Sequence, residues 1–297
     1  MKKIIITGIT GFIGQNLKKY LEPLFDIFSL KLRYKINQKI DFEADCIIHL
    51  SGIAHDLKKT KNITEYTNAN YKLTKQLYNA FLESNAKVFI FISSIKAVVD
   101  FSERIINEDT IPNPSTIYGV SKLQAEKYIL NNLPSLDKRV YILRPCLVHG
   151  PGIKGNLYSL YKFVINETPY PLASFENKRS FLSIENLCFV INQIIVNENV
   201  KSGVYNIADD DKISTNELIS LIAKSTKKNI LFLKVPKLLI RLLARFGDVF
   251  SLKFNTEILM KMTSDFQVSN LKIKKAINEK FPIETKKGII DTISSMK

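Results

Sequence analysis

The residues best suited to chemistry are Tyr118 and Lys122, which lie four positions apart in a segment predicted to be helical. That spacing places both side chains on one face of the helix. A free phenol has a pKa of about 10, and an ammonium group nearby favours the phenolate, which brings Tyr118 towards proton transfer near neutrality. Because a Tyr-x-x-x-Lys pair is also common on protein surfaces, its meaning depends on the surrounding elements.

A pair of serines precedes that helix in the chain. Ser93 and Ser94 follow the apolar run Val88–Ile92, which is typical of a buried strand. In a parallel sheet the carboxyl ends of the strands carry the chemistry. Ser94 is therefore expected at the edge where its hydroxyl can donate to a substrate oxygen. The turn signal at 113–116 then predicts the start of the helix that carries Tyr118.

The N-terminal segment predicts a dinucleotide site. An apolar run leads directly into Gly8, Gly11 and Gly14. Gly8 permits a sharp turn, Gly11 lets the backbone approach a pyrophosphate, and Gly14 lets a helix pack closely on the strand. The free N–H groups at the helix start, around Phe12 and Ile13, suit an anion. An N-terminal strand before the glycines and a helix after them favour this interpretation over an ordinary glycine-rich turn.

The end of the second strand bears on the choice of cofactor. Asp26–Leu30 is a plausible strand, and Lys31 and Arg33 follow it without an acidic residue. An acid there would bind the adenosine ribose hydroxyls, whereas a cation accommodates the 2′-phosphate of NADP. The two cations favour NADP(H), with NAD(H) as the alternative. They can also be ordinary surface residues of a lysine-rich chain.

Two further segments are expected to border the cofactor. The strand around Cys46–His49 ends in a turn of small residues, and another buried strand ends at a proline. A short intervening strand is predicted at Lys39–Phe42. His49 has apolar neighbours on both sides and is interpreted as a hydrogen-bonded core residue. The expected cofactor contacts from these segments are Leu50, Ser51, Gly52 and Pro145.

Length and composition limit the class of protein. With 297 residues and 45% hydrophobic content, the chain can bury a large core in roughly two domains. The formal charge of +15 is spread along the chain without a basic cluster, so nucleic-acid binding is not expected. The three cysteines lack metal-ligand spacing, and no metal site is expected. Neither an export signal nor a membrane span is apparent, which predicts a cytoplasmic protein.

Together these motifs resemble the extended short-chain dehydrogenase/reductase family, in particular its NAD-dependent epimerase/dehydratase group. The resemblance extends over nearly the whole chain. It implies a Rossmann-type doubly wound α/β fold, with a cofactor domain over 1–152, to which some later segments return, and a substrate lobe over 153–297. The segments that most resemble the bacterial branch making polysaccharide precursors are Ser93–Lys96, Arg144–Gly152 and Asn177–Leu182.

The resemblance also implies roles for individual residues. Ser94 and Tyr118 would hold the C4 oxygen of the sugar, and Tyr118 would transfer its proton. Lys122 would bind the nicotinamide ribose and lower the pKa of Tyr118. The buried Asn70 would have a structural role. The implied substrate contacts are Ser94, Lys96, Asn156 and Arg179, with Arg179 on the diphosphate.

The sequence departs from the family pattern after the serines. Ala97–Asp100 replaces the usual residues there, which predicts a different loop shape, and Lys96 stands where dehydratases carry an acid. Dehydratase activity is therefore not expected. The resemblance implies chemistry at C4 of a nucleotide sugar, by an enzyme that can be a homodimer. The cationic end of the second strand favours reduction of a UDP-4-keto-6-deoxy-N-acetylhexosamine for surface polysaccharide synthesis. The alternatives are a UDP-glucose or UDP-N-acetylglucosamine 4-epimerase with tightly bound NAD, and a non-catalytic dinucleotide-binding protein.

One apolar segment stands apart from these motifs. Leu238–Phe246 is strongly apolar and carries two arginines, yet it is too short to span a bilayer. A helix on a membrane surface or against a partner is one interpretation. Packing inside the substrate lobe is the interpretation that we favour from the sequence.

Overall fold

The strands form one large parallel sheet and one small sheet. The computed structural model describes residues 1–53, 62–252 and 254–296. Six strands form a parallel sheet in the order β2-β1-β3-β4-β5-β8, and three form a second sheet in the order β6-β7-β9. The strands are β1 (Lys3–Thr7), β2 (Asp26–Leu30), β3 (Cys46–His49), β4 (Val88–Ile92), β5 (Arg139–Pro145), β6 (Leu147–His149), β7 (Arg179–Ser183), β8 (Gly203–Ile207) and β9 (Lys212–Ile213).

Helices connect and flank these strands. They are α1 (Phe12–Leu21), α2 (Ile63–Tyr66), α3 (Leu73–Glu83), α4 (Ile117–Asn131), α5 (Asn156–Ile165), α6 (Ile184–Val196), α7 (Thr215–Thr226), α8 (Lys237–Val249), α9 (Thr256–Thr263), α10 (Leu271–Ile277) and α11 (Thr285–Ser294). A π-helical turn over Thr67–Lys72 joins α2 to α3, and a 3-10 turn over Ile95–Ala97 follows β4.

Both faces of the large sheet are covered, as the apolar strands require. Alternate residues point to opposite faces of a strand. On one face Ile48 and Ile90 join a core with residues of α1 and α6. On the other, Phe89 and Phe91 join a core with residues of α3 and α4. The predicted doubly wound α/β fold is confirmed.

The predicted strand at Lys39–Phe42 is wrong. These residues form no strand, and β3 pairs directly with β1. Only Ile40 of this segment is fully buried, and the charged neighbours Lys39 and Asp41 are exposed and paired with each other at 3.3 Å. One buried side chain provides little free energy to order a strand at the sheet edge. The large sheet therefore ends at β2.

Most segments beyond residue 152 build a second core. It contains apolar side chains of α5, α7, α8, α9 and α11 together with Phe181 of β7 and Ile213 of β9. Three later elements return to the large sheet, because β8 pairs with β5 and both α6 and α10 contribute to the core beside α1. The division into two domains near residue 152 stays a prediction.

The cysteines have the surroundings that the composition predicted. Cys46, Cys146 and Cys188 are buried and free, as reduced core residues should be. In the described ranges, no group of His, Cys, Asp and Glu side chains is arranged to hold a metal ion. Nor does any described helix have the length and apolar character that crossing a membrane requires.

The expectation that residues 238–246 are buried inside the substrate lobe is wrong. In α8 only Ile240, Ala244 and Gly247 are buried. The remaining apolar side chains of the helix are exposed, among them Leu238 and Phe246, which are 70% and 55% exposed. The helix is apolar over most of its circumference, but only one stripe of it packs against the rest of the protein. The packing of this lobe leaves the rest uncovered.

Candidate active site

The glycine turn after β1 is as tight as the sequence predicted. Gly8 has a φ of 70°, and a Cβ placed on it would lie 2.9 Å from the backbone nitrogen of Ser51. A Cβ on Gly14 would lie 2.4 Å from the carbonyl oxygen of Gly8. The Gly11 N–H donates to that same carbonyl at 3.0 Å. Any side chain at Gly8 or Gly14 would push the turn away from β3 or from α1.

The start of α1 offers backbone donors rather than side chains. The first helical hydrogen bond runs from Gln15 N–H to Gly11 C=O at 2.9 Å, so the N–H groups of residues 12–14 have no acceptor within the helix. Phe12 and Ile13 pack their side chains against the core beside the sheet. At these two predicted cofactor positions, only the backbone is therefore available to a phosphate.

An open cleft of about 1400 Å³ extends from this turn along the ends of β1, β2 and β3. Both predicted cations, Lys31 and Arg33, line it, and no acidic residue occurs between Ser29 and Lys35. The predicted cofactor residues that line the cleft are Gly8, Gly11, Lys31, Arg33, Leu50, Ser51 and Gly52. Its size, its glycine floor and its helix N-terminus fit a dinucleotide.

Ser94 and Tyr118 meet where β4 ends and α4 begins. Ser94 accepts a hydrogen bond from Lys96 N–H at 3.2 Å, and its hydroxyl is also hydrogen-bonded to the Tyr118 phenol. Burial raises the pKa of Tyr118 to about 12, although the bond from Ser94 acts in the opposite direction. The phenol therefore holds its proton in the neutral range.

Lys122 lies one turn along α4 from Tyr118 and is buried. Its ammonium donates to the Ile92 carbonyl at 3.0 Å and lies 4.7 Å from the centre of the Phe91 ring. A Cβ on Gly52 would lie 3.6 Å from Nζ, which places the ammonium beside the cleft. Burial lowers the pKa of Lys122 to about 8, even though nearby Glu126 favours the charged form.

The expectation that Lys122 lowers the pKa of Tyr118 is wrong for this structure. The pKa of the phenol is raised instead, with burial as the largest cause and the charges of Tyr66 and Glu126 acting in the same direction. The Lys122 ammonium is directed to the end of β4, where the Ile92 carbonyl accepts from it. The spacing of four residues correctly predicted a shared helix face. Burial nevertheless has a larger effect on the pKa of Tyr118 than the lowering expected from a neighbouring ammonium.

A buried ion pair that sequence analysis did not identify joins α4 to the large sheet. Arg144 of β5 and Glu126 of α4 form a forked contact, with donor to acceptor distances of 2.6 and 3.1 Å. Both side chains are almost completely buried. The Ser93 hydroxyl donates to the same carboxylate. This network fastens α4 to the ends of β4 and β5, so it fixes the position of Tyr118 relative to Ser94.

Asp100 is a second residue that sequence analysis did not identify. Its carboxylate accepts from the backbone N–H of Ser115 at 2.8 Å and of Thr116 at 3.0 Å, and from both of their hydroxyls. Burial alone would raise the pKa of Asp100, but these bonds and the nearby Lys96 hold it below its ordinary value. The loop that departs from the family pattern is therefore anchored at the start of α4.

His49 and Asn70 are structural, as predicted for both. His49 is buried between Thr7 and Thr74, with its two ring nitrogens 2.7 and 2.9 Å from their hydroxyls, and burial lowers its pKa to about 3. Asn70 accepts from Ile53 N–H at 2.7 Å and donates to the Ser121 hydroxyl at 2.9 Å. It therefore joins the wall of the cleft to α4.

Two predicted substrate residues form a cationic pair next to this site. Lys96 donates to the Asp100 carbonyl at 2.6 Å, while the Arg179 guanidinium donates to the Lys261 carbonyl at 2.8 Å. Burial lowers the pKa of both groups, and the charge of Arg179 lowers that of Lys96 further. Carboxylates act in the opposite direction, since Asp100 lies 3.7 Å from the Lys96 ammonium and Asp265 favours the charge of Arg179.

The remaining predicted residues lie at the ends of elements. Asn156 is the first residue of α5 and is exposed. Pro145 is the last residue of β5, where it pairs with Ile207 of β8. The following turn is tied to α1 by a bond of 3.3 Å from the Asn16 amide to the Pro151 carbonyl. Pro145 thus lies at the same sheet edge as Ser94.

Comparison with known proteins agrees with this geometry. The model of the NAD dependent epimerase/dehydratase family matches residues 4–208. The chain belongs to this family. It is 31% identical to a UDP-glucose 4-epimerase of Vibrio cholerae, over 98% of this chain and 94% of that protein. A GDP-6-deoxy-D-mannose reductase of Pseudomonas aeruginosa is 24% identical, over 75% of this chain and 79% of that relative.

Solved structures confirm the fold. A UDP-glucuronic acid 4-epimerase from Bacillus cereus in complex with NAD superposes with a TM-score of 0.75 at 18% identity, covering 99% of this chain and 98% of that one. RMD from Pseudomonas aeruginosa complexed with NADPH gives a TM-score of 0.73 at 20% identity, covering 100% and 99%. As a member of the family, the chain is an NAD(P)-dependent nucleotide-sugar enzyme of the epimerase or reductase type.

Proposed function

We propose that the protein uses NADPH to reduce C4 of a UDP-4-keto-6-deoxy-N-acetylhexosamine. The observation that carries this proposal is the pair of cations, Lys31 and Arg33, in the cleft wall at the end of β2. No carboxylate follows that strand before Lys35 to bind the free ribose hydroxyls of NAD. A cofactor that is exchanged at each turnover, as NADPH is, belongs to a reductase rather than to an epimerase.

The site residues have distinct roles in this reaction. When bound, the nicotinamide dinucleotide supplies the hydride. Ser94 and Tyr118 hold the C4 oxygen of the sugar between their hydroxyls, and Tyr118 gives its proton to that oxygen. Lys122 holds the nicotinamide ribose from its position beside Gly52. The cations Lys96 and Arg179 bind the diphosphate, and Asn156 contacts the substrate from the start of α5.

Tyr118 is protonated at rest, as the proposed proton donor must be. A phenol whose pKa is raised to about 12 is a poor base at neutral pH and keeps the proton that a reductase must deliver. An epimerase begins with the opposite step, in which the tyrosine removes a proton from the sugar hydroxyl.

A 4-epimerase of UDP-glucose or UDP-N-acetylglucosamine is the second candidate. Similarity to the Vibrio cholerae UDP-glucose 4-epimerase over nearly the whole chain favours it. Purified protein distinguishes the two, because an epimerase retains NAD through purification and a reductase does not. Protein that releases stoichiometric NAD on denaturation, and that interconverts UDP-sugars without added cofactor, would replace the reductase proposal by the epimerase.

We expect NADPH to bind more tightly than NADH. A charge-assisted phosphate contact is worth about 1.5–3 kcal/mol, so the preference should be about ten- to a hundredfold in Kd. Titration calorimetry on the parent and on a Lys31→Gln/Arg33→Gln variant measures it, and the variant should lose the preference by weakening NADPH alone. Lys39→Gln, outside the cleft lining, should change neither Kd. Equal or tighter binding of NADH by the parent would contradict this role.

We expect Arg179→Ala to weaken the binding of UDP. Loss of a guanidinium from a diphosphate costs about 1.5–3 kcal/mol, or about ten- to a hundredfold in Kd. Cofactor affinity should stay near the parent value, because the cleft at the ends of β1 to β3 is separate from the contacts of Arg179. The adjacent exposed Lys178→Ala is the matched control and should bind UDP normally. If UDP binds to Arg179→Ala as tightly as to the parent, this arginine only joins β7 to α9.

A further inference from the structure

The helix α8 presents three distinct faces around its axis. Successive residues advance by about 100°, so the thirteen residues of α8 separate into sectors. The buried stripe Ile240, Ala244 and Gly247 faces the protein. A Cβ on Gly247 would lie 1.9 Å from the Phe254 carbonyl oxygen, which shows how closely this stripe packs. The other two sectors face away from the protein.

The second sector is apolar and uncovered. It spans roughly 140° of the helix and runs almost the whole length of α8, about 20 Å. Its members are Leu238, Leu239, Leu242, Leu243, Phe246 and Val249, each between 49% and 78% exposed. Phe250 extends it, with its ring 4.2 Å from that of Phe246. A contiguous apolar surface of this kind on a soluble fold marks an interaction site.

The third sector is cationic. Lys237, Arg241 and Arg245 lie side by side within roughly 80° of the helix circumference, directly next to the apolar sector. The only acidic residue of α8 is Asp248, whose carboxylate accepts from Thr256 N–H at 3.1 Å at the start of α9. The exposed surface of α8 therefore combines apolar side chains with an edge on which three cations outnumber one exposed carboxylate.

We propose that α8 docks in the plane of an anionic lipid bilayer surface. A short helix with a strongly apolar face, a cationic edge and low overall hydrophobicity is the pattern of a helix lying at the membrane interface. The leucines and Phe246 would enter the acyl boundary, while Arg241 and Arg245 bind lipid phosphates at the level of the headgroups. The net charge of +15 would add a long-range attraction to the same surface.

Charge complementarity favours lipid over a second copy of this chain. A twofold pairing through the apolar sector would place the cationic edge of each helix beside the same seam, where each copy brings three cations and one carboxylate, Asp248. An anionic headgroup layer supplies the missing negative charge along the whole edge. The proposal does not depend on the reaction that the enzyme performs, because it rests on α8 alone.

Docking would also set the position of the substrate residues. The Phe254 carbonyl, just before α9, packs on Gly247, and α9 ends beside Arg179, which donates to the carbonyls of Lys261 and Ser264 at 2.8 and 3.3 Å. One helix therefore separates the proposed lipid-facing surface from the cationic pair Lys96 and Arg179. The enzyme would hold this part of its site close to the membrane surface.

Vesicle binding tests the proposal. The full chain should co-sediment with vesicles containing phosphatidylglycerol and should bind phosphatidylcholine vesicles far less. Leu242→Ser/Phe246→Ser should reduce the partition coefficient by about tenfold or more, since two inserted apolar side chains are lost. Arg241→Gln/Arg245→Gln should reduce it by about thirtyfold on phosphatidylglycerol, at about fivefold per charge, and this effect should shrink at high salt.

Matched variants and the oligomeric state complete the test. Leu133 and Leu136, 74% and 107% exposed after α4, provide the control, and Leu133→Ser/Leu136→Ser should bind vesicles like the parent. Thermal unfolding should show that every variant remains folded. Equal binding of the parent and both α8 variants would overturn the proposal. So would a protein that ignores vesicles but forms a dimer that Leu242→Ser/Phe246→Ser dissociates, since a second copy would then cover α8.

Discussion

Replacement of Tyr118 by phenylalanine should lower kcat by about a hundred- to ten-thousandfold, the range typical of general acid–base catalysis. The substitution keeps the ring, which fills a half-buried position, and removes only the hydroxyl that is bonded to Ser94. Without that hydroxyl, no proton is delivered to the C4 oxygen. Turnover of a UDP-4-keto sugar with NADPH, followed at the nicotinamide absorbance, measures the effect.

Binding measurements separate this chemical role from a structural one. Tyr118→Phe should bind cofactor with nearly the parent affinity, because its ring and the surrounding packing are retained. Lys122→Met should instead weaken cofactor binding, since its ammonium lies beside the cleft next to Gly52. The pKa of Tyr118, raised to about 12, predicts that the phenol stays protonated throughout the neutral range. Titration of the Tyr118 phenol should therefore cause no loss of rate near neutral pH.

The opposite result has a clear meaning. If Tyr118→Phe turns over at nearly the parent rate on every UDP-sugar and 4-keto sugar that the parent accepts, Tyr118 is not the proton donor. The pair at the start of α4 would then only position the cofactor. The hydroxyl of Ser94 would be the remaining candidate at the end of β4, and Ser94→Ala would test it in the same assay.

The parts of the site that follow from local sequence were predictable. The glycine turn depends on Gly8 and Gly14, because the backbone around each of them leaves no room for a side chain. The strand end at Ser94 and the helix face of Tyr118 follow from patterns that span a few residues. Apolar runs and glycine spacing report such local geometry directly. These features lie where the sequence predicted them.

Features that depend on distant partners were not predictable from the sequence. Asp100 reads as a loop acid until the fold brings it to the backbone of Ser115 and Thr116. The pKa of Tyr118 depends on how deeply α4 is buried, which the spacing to Lys122 does not reveal. The exposure of the apolar side chains of α8 depends on which other elements of the C-terminal lobe pack against this helix. Each of these outcomes is a tertiary effect that overrides a local pattern.

We expect Glu126→Ala to destabilise the protein by about 3–5 kcal/mol, the cost of leaving one member of a buried ion pair without its partner. The Glu126 side chain is completely buried and Arg144 nearly so, and three hydrogen bonds join them. Removal of the carboxylate also takes away the acceptor of the Ser93 hydroxyl. Urea unfolding followed by circular dichroism measures the change in the free energy of unfolding.

An exposed ion pair supplies the control for this measurement. Lys87 and Asp137 lie on the surface, with side chains 58% and 57% exposed. Asp137→Ala should leave the urea midpoint close to that of the parent, since water and salt screen such pairs. A loss of stability in Asp137→Ala as large as that in Glu126→Ala would show that any ion pair near β5 matters equally, and burial would not be the cause.

A double substitution tests whether the carboxylate matters through its charge or through its shape. Glu126→Leu/Arg144→Met removes both charges and keeps most of the buried volume, so it should recover much of the stability lost in Glu126→Ala. Activity should not recover with it. The carboxylate also bonds Ser93 and favours the charged form of Lys122, so its loss should lower the pKa of Lys122 further and weaken cofactor binding. A double variant that regains both stability and cofactor affinity would show that Glu126 only compensates the charge of Arg144.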